Sequence, residues 1–241
     1  MAITKKTRQI NKELKADPNN LDLQVELATL MIDGANYEDA IKMLMAIRNK
    51  RPKDAKVYKL LGTAYVLFNH EEEAMLEMNR ACELDPSDAE NHFNLGGLYL
   101  LRDMYSNAAT SFEKVIKLDP TDTTAYANLA AAYDMLKLYD KEIGALKKVL
   151  MFNPEDKELR AALSNAYFHA ERYEEAIDAA ICVVDIDDKD TQAYCNLGSC
   201  YSVTSMIDDA IKAFKKASEL APDYSLPHTN LGTLYANMGR P

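Results

Sequence analysis

Residues 89–122 read AENHFNLGGLYLLRDMYSNAATSFEKVIKLDPTD, and the pattern of this stretch recurs every 34 residues through most of the chain. Proline stands near the end of each repeat, at Pro18, Pro52, Pro86, Pro120, Pro154 and Pro222. The one exception is Asp188, which takes the place of this proline. Tyrosine keeps the same step at Tyr65, Tyr99, Tyr133, Tyr167, Tyr201 and Tyr235. A fixed period of this length indicates supersecondary units that stack, because one unit alone cannot bury its apolar face.

Each repeat is predicted to contain two helices. In residues 89–102 the packing residues fall three and four positions apart, a spacing that only a helix puts on one face, and they are His92, Leu95, Gly96 and Tyr99. In residues 105–118 the packing residues have a similar helical spacing, and they are Ala108, Phe112 and Val115. We expect close helix approach at Gly62 and Gly96, since glycine inside a helix costs about 1 kcal/mol relative to alanine. The first helix of each repeat has an N-capping residue at Asn20, Asp54, Asp88, Asp122, Asp156 and Asp190.

The order aromatic, Leu-Gly, Tyr, Ala, aromatic and Pro at this period closely resembles the tetratricopeptide repeat (TPR), as in Leu95-Gly96, Tyr99 and Ala108. The resemblance covers nearly the whole chain. It implies an all-α, right-handed α-solenoid of helix-turn-helix repeats. It also implies that the first helices of successive repeats line the inner face of the solenoid.

The repeat register predicts a single array over residues 1–241. Six full repeats are expected at 21–54, 55–88, 89–122, 123–156, 157–190 and 191–224. A lone helix at 3–16 precedes them and a half repeat at 225–241 follows. Pro241 falls where the next helix would begin, so we expect the natural sequence to continue beyond it. In the fourth repeat Glu142 replaces the packing alanine, and we expect Ile143 and Gly144 to shift the helix contact by one residue.

Composition argues against several classes of partner. The chain has 28 Lys and Arg against 38 Asp and Glu, a formal net charge of −10. Nucleic acids and anionic membranes bind clustered positive charge, so we expect neither as a partner. A membrane-spanning helix needs about 20 consecutive apolar residues, and no apolar run in the sequence is nearly that long. No signal peptide is evident. The four cysteines lack metal-binding or redox spacing, which favours a reducing compartment, with the cytoplasm as the expected location.

No motif for catalysis or for a cofactor is found. The chain lacks a phosphate-binding glycine loop, a dinucleotide fingerprint and a zinc-binding His-Glu pair, so we predict neither enzymatic activity nor a cofactor. One loop carries four carboxylates, Asp185, Asp187, Asp188 and Asp190. Its spacing departs from the calcium-loop template, and we expect a solvated, capping loop without a metal.

Asparagine recurs on the first helices, at Asn94, Asn128, Asn196 and Asn230, while Asn165 lies about one turn further along its own helix. An amide offers both a donor and an acceptor, which suits pairing with an extended peptide backbone. The row resembles the asparagine ladder of TPR superhelices such as those of O-GlcNAc transferase, which implies peptide binding. Two alternatives stay open: the amides bond neighbouring repeats, or repeat duplication placed them there.

Further groove residues complete the predicted peptide site. Phe93 and Leu101, if exposed, form an apolar pocket for a ligand side chain. Glu90 adds negative charge, which favours a neutral or basic ligand. Lys59 matches the first residue of the carboxylate clamp with which some TPR co-chaperones bind acidic tails, but Thr63 stands where that clamp has asparagine. The clamp is incomplete, and we reject that activity.

These observations predict a non-catalytic scaffold that binds an extended peptide or a partner helix in the concave groove. One alternative is the substrate-recruiting portion of a larger enzyme such as a glycosyltransferase. Another is a self-assembling scaffold, because the end helices expose faces that could pair with a second copy.

Overall fold

The computed structural model describes residues 2–238, and within this range the chain consists of 14 α-helices without a β-strand. The helices are α1 Ala2–Ala16, α2 Leu21–Asp33, α3 Tyr37–Lys50, α4 Ala55–Leu67, α5 Glu71–Leu84, α6 Ala89–Leu101, α7 Tyr105–Leu118, α8 Thr123–Met135, α9 Tyr139–Leu150, α10 Lys157–His169, α11 Tyr173–Ile186, α12 Thr191–Val203, α13 Ile207–Leu220 and α14 Ser225–Asn237. The predicted all-α fold is confirmed. The expected helix start at Pro241 lies outside the described residues.

Even-numbered helices from α2 onward are the first helices of the repeats and are called A helices here; odd-numbered helices are called B helices. The six predicted N-caps are confirmed, because each side chain accepts a backbone N–H at the start of its A helix. The Asp88 carboxylate, for example, accepts from the N–H groups of Glu90 and Asn91 at 3.0 and 3.3 Å. These bonds satisfy donors that a helix start leaves unpaired, so the A helices begin at set places.

The turn after each A helix from α2 to α12 contains one non-glycine residue in the left-handed region. Its φ lies between 55° and 63° at Ala35, Asn69, Asp103, Lys137, Glu171 and Ser205, which are 34 residues apart. The following N–H then bonds back to the A helix, as Met104 does to the carbonyl of Tyr99 at 2.8 Å. This turn sends the chain into the B helix and makes every repeat a hairpin of helices.

The chain divides into two compact parts, called unit 1 (Met1–Pro120) and unit 2 (Thr121–Pro241). In unit 1, Leu44, Ile47 and Leu61 belong to a core shared by α2, α3 and α4. In unit 2, Leu146 and Tyr167 belong to a core that extends from α8 to α12. The single array over 1–241 stays a prediction. No helix of the described range is long and apolar enough to cross a bilayer.

Gly62 and Gly96 each leave room for a large side chain of the B helix that follows, whereas close approach of the helices themselves stays a prediction. A Cβ on Gly96 would lie 2.9 Å from the ring of Phe112, and one on Gly62 would lie 2.4 Å from Cγ of Met78. Both distances are shorter than side chains tolerate. The cost of glycine inside a helix is therefore offset by the large apolar side chain that each glycine admits.

Glu142 on α9 replaces the alanine that other repeats bury completely at this place. The expected shift of the contact is wrong: Glu142 itself is buried, with only 6% of its surface exposed, and a Cβ on Gly144 would meet nothing within 4 Å. Its Oε2 has no hydrogen-bond partner among the described residues. Burial, reinforced by the nearby charge of Asp134, raises the pKa of Glu142 to about 7.

Candidate functional site

The predicted apolar residues of the groove line one pocket in unit 1, between α4 and α6. Its volume is about 300 Å³. The lining residues are Thr63, Val66, Leu67, Met78, Phe93, Asn94, Gly97, Leu98 and Leu101. We call it the A-groove pocket. Met78 and Leu98 are buried, whereas Leu67 and Leu101 are 47% and 71% exposed, so the pocket has an apolar floor and an apolar rim.

Two predicted site residues on α6 form adjacent parts of the wall. Phe93 is half-buried, and its ring meets the ring of Phe112 edge to face, with 5.6 Å between the centroids. This contact holds Phe93 in place from the B-helix side. Asn94 is also half-buried, and its amide forms no hydrogen bond with another residue of the described chain. Its donor and acceptor are therefore available beside the pocket.

Gly97 keeps the pocket open, and the sequence analysis did not single it out. A Cβ on Gly97 would meet no atom within 4 Å, whereas a Cβ on Gly96 or Gly62 would collide with a neighbouring side chain. Gly97 is thus a helical glycine that internal packing does not require. No other repeat has glycine at this place, and this contrast in the sequence could have identified Gly97 as a pocket residue. The residues found there are Thr29, Thr63, Ala131, Asn165, Ser199 and Thr233.

The two charged residues of the predicted site bind each other. Nζ of Lys59 on α4 contacts the carboxylate of Glu90 on α6, and it lies 3.1 Å from Oδ2 of Asp88. Burial alone would lower the pKa of Lys59, but the hydrogen bonds to Glu90 and Asp88 outweigh burial and raise it. Lys59 therefore holds two A helices together beside the A-groove pocket instead of standing free in the groove.

In unit 2 the corresponding groove runs between α10 and α12, and there two predicted asparagines bind each other. Nδ2 of Asn196 donates to Oδ1 of Asn165 at 2.7 Å, and Gln192 donates to Oδ1 of Asn196 at 2.9 Å. A hollow of about 180 Å³ lies beside the pair. It is lined by Ser164, Asn165, Phe168, His169, Asn196, Ser199 and Cys200. Here the amides link neighbouring repeats.

The remaining members of the asparagine row differ from this pair. Asn128 on α8 and Asn230 on α14 are half-buried, and neither side chain bonds another described residue. The structure therefore separates the row into one mutually bonded pair, Asn165 and Asn196, and three amides with unused hydrogen-bonding capacity. The sequence could not distinguish these classes, because all five share the same helix face.

Groups that could suggest catalysis are engaged in packing or in ion pairs. His169 stacks on Tyr139 with 5.1 Å between the ring centroids. Burial raises the pKa of Cys200 to about 11, so its thiol stays protonated and unreactive near neutral pH. In the acidic loop, Lys157 binds Asp187 at 2.8 Å and Asp190 at 3.2 Å. No cluster of His, Cys, Asp and Glu within residues 2–238 could hold a metal ion.

Solved structures with a similar fold are themselves repeat proteins. YrrB, described as a TPR protein with an unusual peptide-binding site, is 22% identical, with a TM-score of 0.67 over 77% of this chain and 96% of YrrB. The C-terminal part of a TPR repeat-containing protein from Cytophaga hutchinsonii is 18% identical, with a TM-score of 0.72 over 95% of both chains. MamA from Desulfovibrio magneticus RS-1 is 26% identical, with a TM-score of 0.60 over 69% of this chain and 94% of MamA.

Sequence models agree with these structural similarities. No curated protein matches the chain by sequence. Models of the tetratricopeptide repeat match residues 11–64, 55–88, 89–122, 111–143 and 191–224, which together cover more than half of it. The helix pairs, their period and these matches lead to one conclusion: the chain belongs to the tetratricopeptide repeat family, and its fold is an all-α TPR solenoid.

Proposed function

We propose that the chain is a non-catalytic scaffold that binds an extended segment of another protein in the groove of its A helices. The observation that carries the proposal is the A-groove pocket of unit 1. It is apolar and open to solvent. Within the described residues, no atom would lie within 4 Å of a Cβ on Gly97, so the space above this residue is empty. A large aliphatic or aromatic side chain of the ligand would occupy it.

Burial of one such side chain supplies a useful part of the binding energy. Transfer of a Val, Leu, Ile or Phe side chain from water contributes about 1.5–3 kcal/mol. Ligand sites commonly combine an apolar hollow of this size with a few polar groups that set orientation. Asn94 supplies such a group, since its amide can pair with both an N–H and a carbonyl of the ligand backbone.

Charge favours a neutral or basic ligand. Beside the pocket, Lys59 carries one positive charge against two negative charges of Asp88 and Glu90, and the whole chain has a net charge of −10. Such a surface mainly accelerates association with basic segments and slows it with acidic ones. The similarity in fold to YrrB, which has a described peptide-binding site, supports peptide binding as the general activity.

We extend the proposal to the other asparagines of the row, which fall into two classes. Asn128 and Asn230 have amides that bond no other described residue and would pair with a ligand backbone. Asn165 and Asn196 would first have to exchange their mutual hydrogen bond for ligand bonds. We therefore expect the last two to add less to binding than Asn94 does.

The test is to close the pocket without disturbing the fold. Neutral and basic peptides selected from a random phage-displayed library on the wild-type protein are measured by fluorescence anisotropy. Gly97→Leu should weaken their binding at least about tenfold, because leucine would fill the hollow. Gly144→Leu is the matched control, since it also replaces a helical glycine whose Cβ meets no atom within 4 Å. Equal affinities for wild type and Gly97→Leu would refute the proposal.

A further inference from the structure

A second cleft of unit 1 lies between the B helices α5 and α7. Its volume is about 760 Å³. It is called the B-helix cleft here. Its walls include Cys82 from α5 and Ser111, Lys114 and Lys117 from α7, and its floor includes His92 and Tyr99 from α6.

The preceding pair of B helices shows why this cleft is open. Between α3 and α5, the guanidinium of Arg48 binds the buried carboxylate of Glu77, 29 residues further along the chain. The same two places one repeat later hold Cys82 and Ser111, also 29 residues apart. Two long, paired side chains are thus replaced by two short ones, and the space that the ion pair occupies is left as a hollow.

The floor of the B-helix cleft is largely aromatic, and its polar atoms have internal partners. The hydroxyl of Tyr99 donates to Oδ1 of Asn79 at 3.1 Å, and Nδ2 of Asn79 donates to the carbonyl of Met75 at 2.8 Å. Nε2 of His92 lies 3.1 Å from the carbonyl of Pro86. Because these groups are satisfied and His92 and Leu95 are buried, the floor offers the partly exposed ring of Tyr99 to a bound apolar group.

The walls carry positive charge that no carboxylate of the described residues pairs with. Lys114 and Lys117 form no ion pair within residues 2–238, whereas Glu83 on the opposite wall is paired with Arg80 at 2.6 Å. Lys114 also acts electrostatically on the thiol of Cys82, whose pKa burial raises to about 11 against the opposing effect of this lysine. Lys114 therefore both lines the cleft and acts on a second residue of its wall.

The equivalent depression between α1 and α3 lacks this combination. It is more open, with a volume of about 640 Å³, and is lined by Leu14 and Met43 at the places of Cys82 and Ser111. Its lysine, Lys42, is already paired with Glu38 at 2.7 Å. The free pair of lysines of the B-helix cleft is thus absent from this depression.

We infer that the B-helix cleft is a second binding surface, which takes a short acidic segment of another protein. An aromatic or aliphatic side chain of the segment would lie on Tyr99, and its carboxylates would bind Lys114 and Lys117. The cleft and the A-groove pocket would then select ligands of opposite charge.

The experiment closes the cleft with the residues that the chain itself uses one repeat earlier. Random phage-displayed peptides are selected on wild type, with counter-selection on Cys82→Arg/Ser111→Glu, which recreates the Arg48 and Glu77 pair. We expect acidic peptides that contain an apolar residue. Fluorescence anisotropy should give at least about tenfold weaker binding to the closed variant and to Lys114→Glu/Lys117→Glu, with affinity falling as salt is raised.

Two controls separate this inference from other effects. Lys215→Glu/Lys216→Glu changes the net charge equally on exposed residues of α13 and should leave binding unchanged. Gly97→Leu should also have no effect, so the two proposed sites fail or succeed independently. If the closed variant does not fold by circular dichroism, the Lys114 and Lys117 variant decides the result.

Three outcomes would overturn the inference. One is the absence of peptides that distinguish wild type from the closed variant. Another is a selected set without acidic residues, or one that Lys114→Glu/Lys117→Glu binds equally well. The third is a wild-type dimer in sedimentation that the closed variant does not form, which would make this face a contact between copies.

Discussion

The A-helix grooves of the two units use the same backbone geometry for different surfaces. In unit 1, between α4 and α6, the groove is an apolar pocket of about 300 Å³. In unit 2, between α10 and α12, the corresponding hollow is about 180 Å³ and is bordered by the bonded amides of Asn165 and Asn196. A few side chains account for the difference: Thr63 and Gly97 in unit 1 occupy the places of Asn165 and Ser199 in unit 2. The repeat supplies the groove, and individual residues decide what it can bind.

The largest expected effect concerns the B-helix residue behind each groove. Phe112 and Phe214 are fully buried against Gly96 and Gly198, and each replacement by alanine should cost about 3–5 kcal/mol of folding free energy. Phe112 also supports Phe93, so Phe112→Ala should additionally abolish ligand binding at the A-groove pocket. Hydrogen exchange measured by mass spectrometry should show lost protection in α6 and α7 for Phe112→Ala, and in α12 and α13 for Phe214→Ala. Equal loss throughout the chain would contradict independent repeat contacts.

The second prediction concerns pH and distinguishes unit 2 from unit 1. The pKa of Glu142 rises from 4.5 to about 7 on folding, so the folded state binds this proton more tightly than the unfolded state. The stability that this group contributes is therefore highest below about pH 4.5, falls as pH rises towards 7, and stays low above that value. Glu142→Ala should stabilise the protein by roughly 2–3 kcal/mol at about pH 8 and much less below pH 5.

Chemical denaturation across this pH range checks the second prediction. Glu142→Gln serves as the control because it keeps the size of the side chain and removes its titration. The corresponding residue in unit 1, Ala108, is buried and has no charge, so we expect the pH dependence to reside in α8 and α9. A stability difference between Glu142→Ala and wild type that does not change with pH would contradict the ionisation argument.

The third prediction separates ligand binding from packing within the asparagine row. Asn94→Ala should weaken peptide binding by about 0.5–1.5 kcal/mol, the net value of a hydrogen bond, and leave stability nearly unchanged. Asn196→Ala should instead lower the stability of unit 2 by a similar amount, because it removes the bond to Asn165. Calorimetric titration and thermal unfolding of both variants give the comparison. A stability loss from Asn94→Ala without weaker binding would assign its amide to packing.

The smallest expected effect concerns the left-handed turns, which occur in both units. Ala35→Gly in unit 1 and Glu171→Gly in unit 2 should each stabilise the protein by about 0.5–1 kcal/mol, since glycine adopts a positive φ without the Cβ penalty. Thermal unfolding of each variant provides the measurement. Ala46→Gly is the matched control, because Ala46 is an exposed residue inside α3, where glycine should destabilise by about 1 kcal/mol. A lower stability of both turn variants would contradict the prediction.

Sequence patterns were sufficient wherever the relevant interaction is local or repeats with the period. The N-cap at Asp88 depends only on the next few backbone N–H groups, and Gly96 is explained by a phenylalanine of the same helix pair. Phe93 and Leu101 were also identified as pocket residues from their helix face. In contrast, the ion pair of Lys59 with Glu90 joins residues 31 apart on different repeats, and the sequence alone could not show that it forms.

The sequence by itself determined the period, the helix pairs and the face on which groove residues lie, because these follow from spacing along the chain. Only the tertiary structure decided which of those side chains are already used. Asn94 and Asn196 have the same place in the repeat, yet Asn196 meets the amide of Asn165 while Asn94 lies beside Gly97. The physical reason is that a side chain's partner on the neighbouring helix depends on the size and shape of both residues after packing, which spacing does not encode.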